Sequence, residues 1–333
     1  MPKISVIIPI LNEEKYIRQC LNSIIECDFP KEQMEVLLID GGSEDKTIEI
    51  INDYQKKYPF FKLLHNPKKI VPVAMNLGIK KAKGEYIIRL DAHSDYPKDY
   101  FTKLLYWHKK LDADNVGGVV ITEVKNKTPV SNAIKNVLSD KLGVGSAFRS
   151  GVKEIQEVDT VPFGCYKRDI FKKAGLYDER LVRNQDIELN KRIKRAGGKI
   201  FLIPEIKAVY FARENFKDLA KNNFQNGRWN ILTAYYTNSF SSLSLRHFIP
   251  MIFILSLVIF LLLGVFVSKL FFYLFIIELG VYLLIIGFRS WKIKRNTTFI
   301  HQFLAFLVLH FSYGFGSVSG IFEVIKRKLN GKK

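Results

Sequence analysis

Up to about residue 230 the chain alternates short apolar runs with amphipathic stretches, and from residue 248 onward long apolar runs dominate. Residues 3–9 (Lys-Ile-Ser-Val-Ile-Ile-Pro) read as a buried strand. Asn12-Glu13-Glu14 then opens a helix whose Ile17, Leu21 and Ile24 recur at helical spacing. Residues 36–39 predict a second strand, 61–64 a third, 71–81 a helix and 87–90 a fourth strand. Strands joined by helices through short links predict an α/β domain on a parallel, doubly wound sheet. Its site belongs at the carboxyl ends of the strands.

Two of those ends carry chemistry. The fourth run passes into Asp91-Ala92-His93-Ser94-Asp95. On an extended backbone Asp91 and His93 face the same way, and a carboxylate oxygen with an imidazole nitrogen suits Mn²⁺ or Mg²⁺. The plainer alternative is a solvated strand-to-helix turn, with Asp95 and Pro97 marking the helix start. The second run ends in Asp40-Gly41-Gly42-Ser43. Glycines there allow close approach of a ligand, and the carboxylate can accept hydrogen bonds from a base or ribose; a capped turn is again the plain reading. Neither a Gly-x-Gly-x-x-Gly nor a Walker sequence occurs, which makes dinucleotide oxidoreductases and P-loop enzymes poor candidates.

The net charge of +19 calls for an anionic partner, either a phosphate-bearing substrate or a membrane surface. No basic run alternates with stacking aromatics, so nucleic acid is not expected. Cys20, Cys27 and Cys165 lack metal spacing and read as core thiols of a reducing compartment. The chain begins directly with a strand pattern and no signal peptide, so the globular part is expected in the cytosol.

Together these residues resemble family 2 glycosyltransferases, inverting nucleotide-sugar enzymes of the GT-A fold. Val6-Ile7-Ile8-Pro9-Ile10-Leu11-Asn12-Glu13-Glu14 matches the first strand and turn of that family. Ile39-Asp40-Gly41-Gly42-Ser43 resembles its Asp-Asp-Gly-Ser, with Gly41 replacing the second Asp. Asp91-Ala92-His93 sits where the family has its metal-binding Asp-x-Asp, and the histidine leaves the second ligand open. Val182-Arg183-Asn184-Gln185-Asp186-Ile187-Glu188-Leu189 resembles the segment of the catalytic carboxylate, and Gln225-Asn226-Gly227-Arg228-Trp229 fits Gln-x-x-Arg-Trp. Thr160-Val161-Pro162-Phe163-Gly164-Cys165 and the Asp-Ala-His variant look closest to bacterial succinoglycan-type exopolysaccharide transferases.

The resemblance implies a Rossmann-like GT-A domain and a divalent cation, Mn²⁺ or Mg²⁺, on Asp91, with His93 either a second ligand or a direct phosphate contact. It implies donor binding by Pro9, Glu13, Asp40, Asn76 and Asp91, and a general base at Asp186, with Glu188 as fallback. Gln225, Arg228 and Trp229 would meet the acceptor or the diphosphate; an aromatic–basic interfacial anchor is the plain alternative for them. A flexible basic loop around Gly143, Gly145, Arg149, Gly151 and Lys153 reads equally as an acceptor lid or a surface excursion.

Residues 249–268 and 270–288 predict two transmembrane helices in a tight hairpin, interrupted only by Glu278. Arg289, Lys292, Lys294 and Arg295 follow and mark the cytosolic side. A third segment, about 299–320, reads as a span or a re-entrant or interfacial piece before the basic tail. The expected organisation is a cytosolic GT-A domain over 1–230, an interfacial linker over 231–248 and a membrane region over 249–333. The protein so read is a multi-pass plasma-membrane enzyme with a cytoplasmic catalytic domain. It takes a sugar, expected from a UDP-sugar, to a lipid-linked saccharide for exopolysaccharide or envelope glycan, with a polysaccharide assembly complex among its expected partners. The competing readings are a processive synthase, a polyprenyl-phosphate glycosyltransferase and an inactive membrane scaffold.

Overall fold

The computed structural model describes residues 1–144, 147–149, 151–238 and 245–331. The chain falls into two compact units. The first holds Met1–Thr122 and Ser146–Phe211, the second Glu123–Gly145 and Ala212–Lys333.

In the first unit β1 (Ile4–Ile10), α1 (Ile17–Ile25), β2 (Met34–Asp40), α2 (Thr47–Lys57), β3 (Phe61–His65), α3 (Val71–Lys81) and β4 (Tyr86–Arg89) alternate as the apolar pattern predicts. The order β3-β2-β1-β4 is parallel throughout. Period-two alternation explains the apolar runs. Ile4, Val6, Ile8, Val36 and Leu38 pack with Ile17, Leu21 and Ile24 of α1 on one face. Ile7, Leu37 and Ile39 pack with Ala74, Met75 and Ile79 of α3 on the other. With both faces covered, a strand can be apolar along its whole length. Gly78 lets α3 settle onto β1: a Cβ there would lie 2.6 Å from Ile7.

Two expectations need correction. The first helix opens at Ile17, because Asn12 adopts a left-handed φ of 55° and residues 14–16 form a turn. The sheet is mixed rather than all-parallel. After β4 come β5 (Ser94–Asp95), α4 (Tyr100–Lys110), β6 (Asn115–Glu123), α5 (Pro129–Leu138) of the second unit, β7 (Gln156–Glu157), β8 (Cys165–Lys167), α6 (Ile170–Ala174), α7 (Gln185–Arg195) and β9 (Ile200–Phe211). β8 runs antiparallel to β4 and β6, and β5 and β7 run antiparallel to β9. Antiparallel neighbours need no crossover helix, so short strands separated by irregular chain suffice. The three cysteines are free and buried, as expected.

The second unit contains α5, α8 (Phe216–Thr237), α9 (Ile249–Phe266), α10 (Lys269–Ile293) and α11 (Phe299–Leu329). Thr128 and Ser131 form a reciprocal capping box that starts α5. Its Ala133, Ile134 and Val137 pack with Leu219 of α8, Ile286 of α10 and Ala305, Phe306 and Leu309 of α11. Glycines bring α8 and α11 into backbone contact: a Cβ on Gly227 would lie 2.0 Å from the Tyr313 carbonyl, and one on Gly316 2.0 Å from that of Phe224. Among the described residues, three helices are long and apolar enough to cross a membrane. The third apolar segment is one unbroken helix. α8 runs through position 230, and residues 239–244 of the expected linker lie outside the described residues.

His108 of α4 is fully buried with its ring against Tyr86, centroids 4.8 Å apart. Burial and the Lys167 charge depress its pKa to about 4, outweighing Asp114. An unfolded chain with an ordinary imidazole therefore binds the extra proton between about pH 6.5 and 4, so stability is full above that window and falls through it. Denaturant titrations of the detergent-solubilised chain at pH 7.5, 5.5 and 4 should show His108→Gln losing less stability on acidification than wild type. Parallel losses would show that His108 does not contribute.

Candidate active site

β4 ends at Arg89, two residues before Asp91, so the assumption that Asp91 and His93 share one extended strand is corrected: Ala92 and His93 lie in a turn that leads into β5. The turn gives the two side chains different partners. Asp91 Oδ1 accepts a hydrogen bond from Arg89 Nη2 at 3.2 Å. His93 Nδ1 bonds Glu13 Oε1 at 2.9 Å, across eighty positions of sequence. Asp91, His93 and Glu13 are all partly buried.

Glu13 is fixed in turn, its backbone N–H donating to Thr47 Oγ1 at 2.8 Å. Asn12 N–H donates to Ser43 Oγ at 2.9 Å and Asn12 Oδ1 accepts from Glu44 N–H at 2.9 Å, so the turns after β1 and β2 form one structure. Asp40 builds its loop from within, accepting from Gly42 N–H at 2.7 Å and Ser43 Oγ at 2.6 Å. Gly42 allows this by adopting a φ of 85°. Pro9 is half-buried in β1 beside Ile39.

Asp186 is the second residue of α7, and its carboxylate pairs with Arg89 Nη1. Arg89 therefore joins Asp91 and Asp186, and it is the residue that sequence reasoning missed. A lone arginine within a buried run was the available signal. Glu188, the fallback, is committed to Arg192 one turn on, at 2.7 Å. The Asn76 amide also turns to structure. It donates to the Tyr177 carbonyl at 2.9 Å and accepts from the Tyr177 N–H at 2.9 Å, holding the segment that precedes α7.

Burial alone would favour neutral His93, but the Glu13 hydrogen bond, reinforced by the charges of Tyr210, Glu13 and Asp91, raises its pKa to about 9. Tyr210 of β9 meets the imidazole edge-on at 5.1 Å, and Arg149 stacks over Tyr210 at 4.8 Å while donating to Thr122 Oγ1 at 2.7 Å. A basic side chain of the segment read as a flexible loop is thus a member of this cluster. Gly145 of that segment lies outside the described residues.

Gln225, Arg228 and Trp229 lie on α8 of the second unit. Arg228 Nε donates to Glu323 Oε2 of α11 at 2.7 Å, Gln225 accepts from Arg228 Nη1 at 3.4 Å, and Trp229 stacks on Tyr236. Arg327 binds the other Glu323 oxygen at 2.7 Å.

Among the described residues no three His, Cys, Asp or Glu side chains gather as a complete metal cage. Asp91 still suits a hard divalent cation, because such ions in phosphate-handling sites take one or two carboxylates and complete their shell with phosphate oxygens and water.

Residues 5–175 match the model of Glycosyl transferase family 2. A dolichyl N-acetyl-α-D-glucosaminyl phosphate 3-β-D-2,3-diacetamido-2,3-dideoxy-β-D-glucuronosyltransferase of Methanococcus voltae is 33% identical over 232 residues, covering 67% of this chain and 71% of its own. The succinoglycan biosynthesis protein ExoA of Rhizobium meliloti is 31% identical over 226 residues, 67% of each chain. Among solved structures, the mannosyltransferase PcManGT of Pyrobaculum calidifontis, in complex with GDP-Man and Mn²⁺, superposes with a TM-score of 0.62 at 15% identity, covering 97% of this chain and 88% of its own. S. aureus TarS 1-349 with UDP-GlcNAc gives 0.53 at 17% identity, covering 99% and 92%. The mixed, Rossmann-like sheet is a GT-A domain, and the chain belongs to glycosyl transferase family 2, an enzyme of the transferase class.

Proposed function

We propose that this enzyme is a membrane-bound inverting glycosyltransferase that moves a sugar from a nucleotide-diphosphate donor, a UDP-sugar, to a lipid-linked saccharide in exopolysaccharide or cell-envelope glycan synthesis. The observation that carries it is the carboxylate pair Asp91 and Asp186, held at the sheet's carboxyl edge by one guanidinium. The dolichyl N-acetyl-α-D-glucosaminyl phosphate in the name of the M. voltae relative and the succinoglycan role in the name of ExoA support the acceptor class.

Inversion needs one displacement: the acceptor hydroxyl attacks the anomeric carbon as the bond to the diphosphate breaks. Asp186 accepts the hydroxyl proton as general base. It lies in the first turn of α7, at the positive end of the helix dipole. Asp91 would hold the divalent cation, Mn²⁺ or Mg²⁺, which when bound neutralises charge on the leaving diphosphate. His93 has its Nδ1 committed to the Glu13 carboxylate, and we assign its remaining Nε2 to a phosphate contact. Asp40 and the Gly41-Gly42 loop offer the surface for base and ribose. Pro9 and Glu13 contribute to the same donor side, and Asn76 acts by holding the chain before α7. We assign Gln225, Arg228 and Trp229 of α8 to the acceptor or its diphosphate.

The catalytic domain lies on the cytoplasmic face of the plasma membrane, with α9 and α10 crossing as a hairpin. We place α11 at the membrane surface. At about 1.5 Å per residue its length exceeds a bilayer core of about 30 Å. Its second half lies against α8, whose Lys217, Lys221 and Arg228 belong in no hydrocarbon layer. One face stays apolar and exposed at Ile300, Leu304, Phe315, Phe322, Ile325 and Leu329, ending in Lys326, Arg327 and Lys328.

The first experiment is a donor panel with detergent-solubilised protein, lipid-linked oligosaccharide and Mn²⁺, Mg²⁺ or EDTA. One donor should release nucleoside diphosphate in a metal-dependent way, and silence with every donor would refute the reading. Asp186→Asn should cut turnover by about 10²–10⁴-fold while UDP binding stays within about threefold. Near-normal turnover would remove Asp186 as base. His93→Gln should weaken UDP binding about tenfold, the worth of one charge-assisted hydrogen bond, without changing the metal profile. An altered Mn²⁺/Mg²⁺ preference would make it a ligand instead. For topology, Gly331→Cys should react with an impermeant maleimide in inside-out but not right-side-out vesicles, whereas the reverse pattern would make α11 a span.

A further inference from the structure

Arg89 has no function in the readings above, yet its position is costly. It closes β4, paired in register with Ile7 of β1, and its N–H donates to the Gly164 carbonyl at 3.0 Å. The side chain is only 13% exposed. Withdrawing a guanidinium from water costs several kcal/mol, recovered only through good pairing. Arg89 finds that pairing at two carboxylates on different elements. Nη2 meets Asp91 Oδ1 at 3.2 Å just past the end of β4, and Nη1 meets Asp186 in the first turn of α7. Its Nε has no hydrogen-bond partner among the described residues, so the contacts lie at the outer end of the fork.

A planar fork reaching two carboxylates fixes a distance and an angle between them, which a lysine point charge does not. Asp91 belongs to the donor end of the site and Asp186 to the acceptor end. We propose that Arg89 is a positioning residue for the transfer reaction: it holds the Asp186 carboxylate in register with Asp91, so that donor and proton acceptor are presented in line. This rests on the reading of Asp186 as the base. Tyr166 and Tyr177 are buried near enough to feel the charges of Asp186 and Arg89, and Arg89 is the cation paired with Asp186. A simpler role, neutralising two partly buried carboxylates for stability, uses the same contacts and must be told apart by measurement.

The test is a mutant cycle on the full-length protein, with the UDP-sugar selected by the donor panel and UDP as the binding probe. Arg89→Met should lower kcat about 10²-fold with donor KM and UDP affinity within about threefold, since an interaction made for the transition state is lost. Arg89→Lys should recover only part of the rate. In the Asp186→Asn background, Arg89→Met should cost nothing further, because a residue acting through Asp186 has nothing left to position. Additive losses in the double variant, or a loss confined to KM, would overturn the proposal. Should Arg89→Met fail to fold, the same cycle with Arg89→Lys decides, again by additivity. Full turnover in Asp186→Asn alone would refute the base assignment and Arg89's role with it. A collapsed Asp186→Asn with an additive double variant would refute only the role of Arg89.

Discussion

A strand buried on both faces has nowhere to put a polar side chain except at its ends, and this constraint organises the first unit. β1, β2 and β4 lie side by side beneath helices on both faces, so their side chains are spent on the two cores. Polarity begins where each strand leaves its neighbours: Asn12 and Glu13 after β1, Asp40 at the end of β2, Arg89 and Asp91 at the end of β4. Because the strands are parallel, those ends share one edge of the sheet, and residues distant in sequence become neighbours. The Glu13–His93 and Asn12–Ser43 hydrogen bonds follow from that arrangement.

This is also why the sequence was legible to the extent it was. Continuous apolar runs that stop at carboxylates identify β1 to β4 and place Asp40 and Asp91 at strand ends, and α3 runs over the predicted 71–81. Partnership was not legible. Nothing local to His93 names Glu13 as its acceptor, and nothing local to Asp186 names Arg89. Arg89 also resembles a stray charge in a hydrophobic stretch, since the carboxylates that justify it come from the next turn and from α7. Asn76 illustrates the converse: a polar residue at a motif position bonds the Tyr177 backbone and the Glu179 carboxylate. Of the later strands, β5, β7 and β8 were hidden because they have two or three residues each, too short for any period to register.

The second unit follows different rules. α9 and α10 are apolar on every side and could be recognised from composition. α11 could not, because it combines an apolar exposed face with a packed face of glycine, serine and glutamine, and composition averages the two. α5 was missed for a related reason. Its cap is the pair Thr128 and Ser131, whereas the recognisable box has Glu or Gln at the third position, and its apolar face is only one stripe wide.

The replacement of the second carboxylate of Asp-x-Asp by His93 changes the charge balance of the site. Arg89 is shared by two carboxylates and His93 is matched by Glu13. Arg89 and His93 are therefore largely neutralised before any donor arrives. A nucleoside diphosphate brings about two negative charges that these pairs can receive only by giving up carboxylate contacts. A divalent cation held by Asp91 would supply the missing charge, and Arg89, pinned between Asp91 and Asp186, would keep the two carboxylates in register as the donor binds.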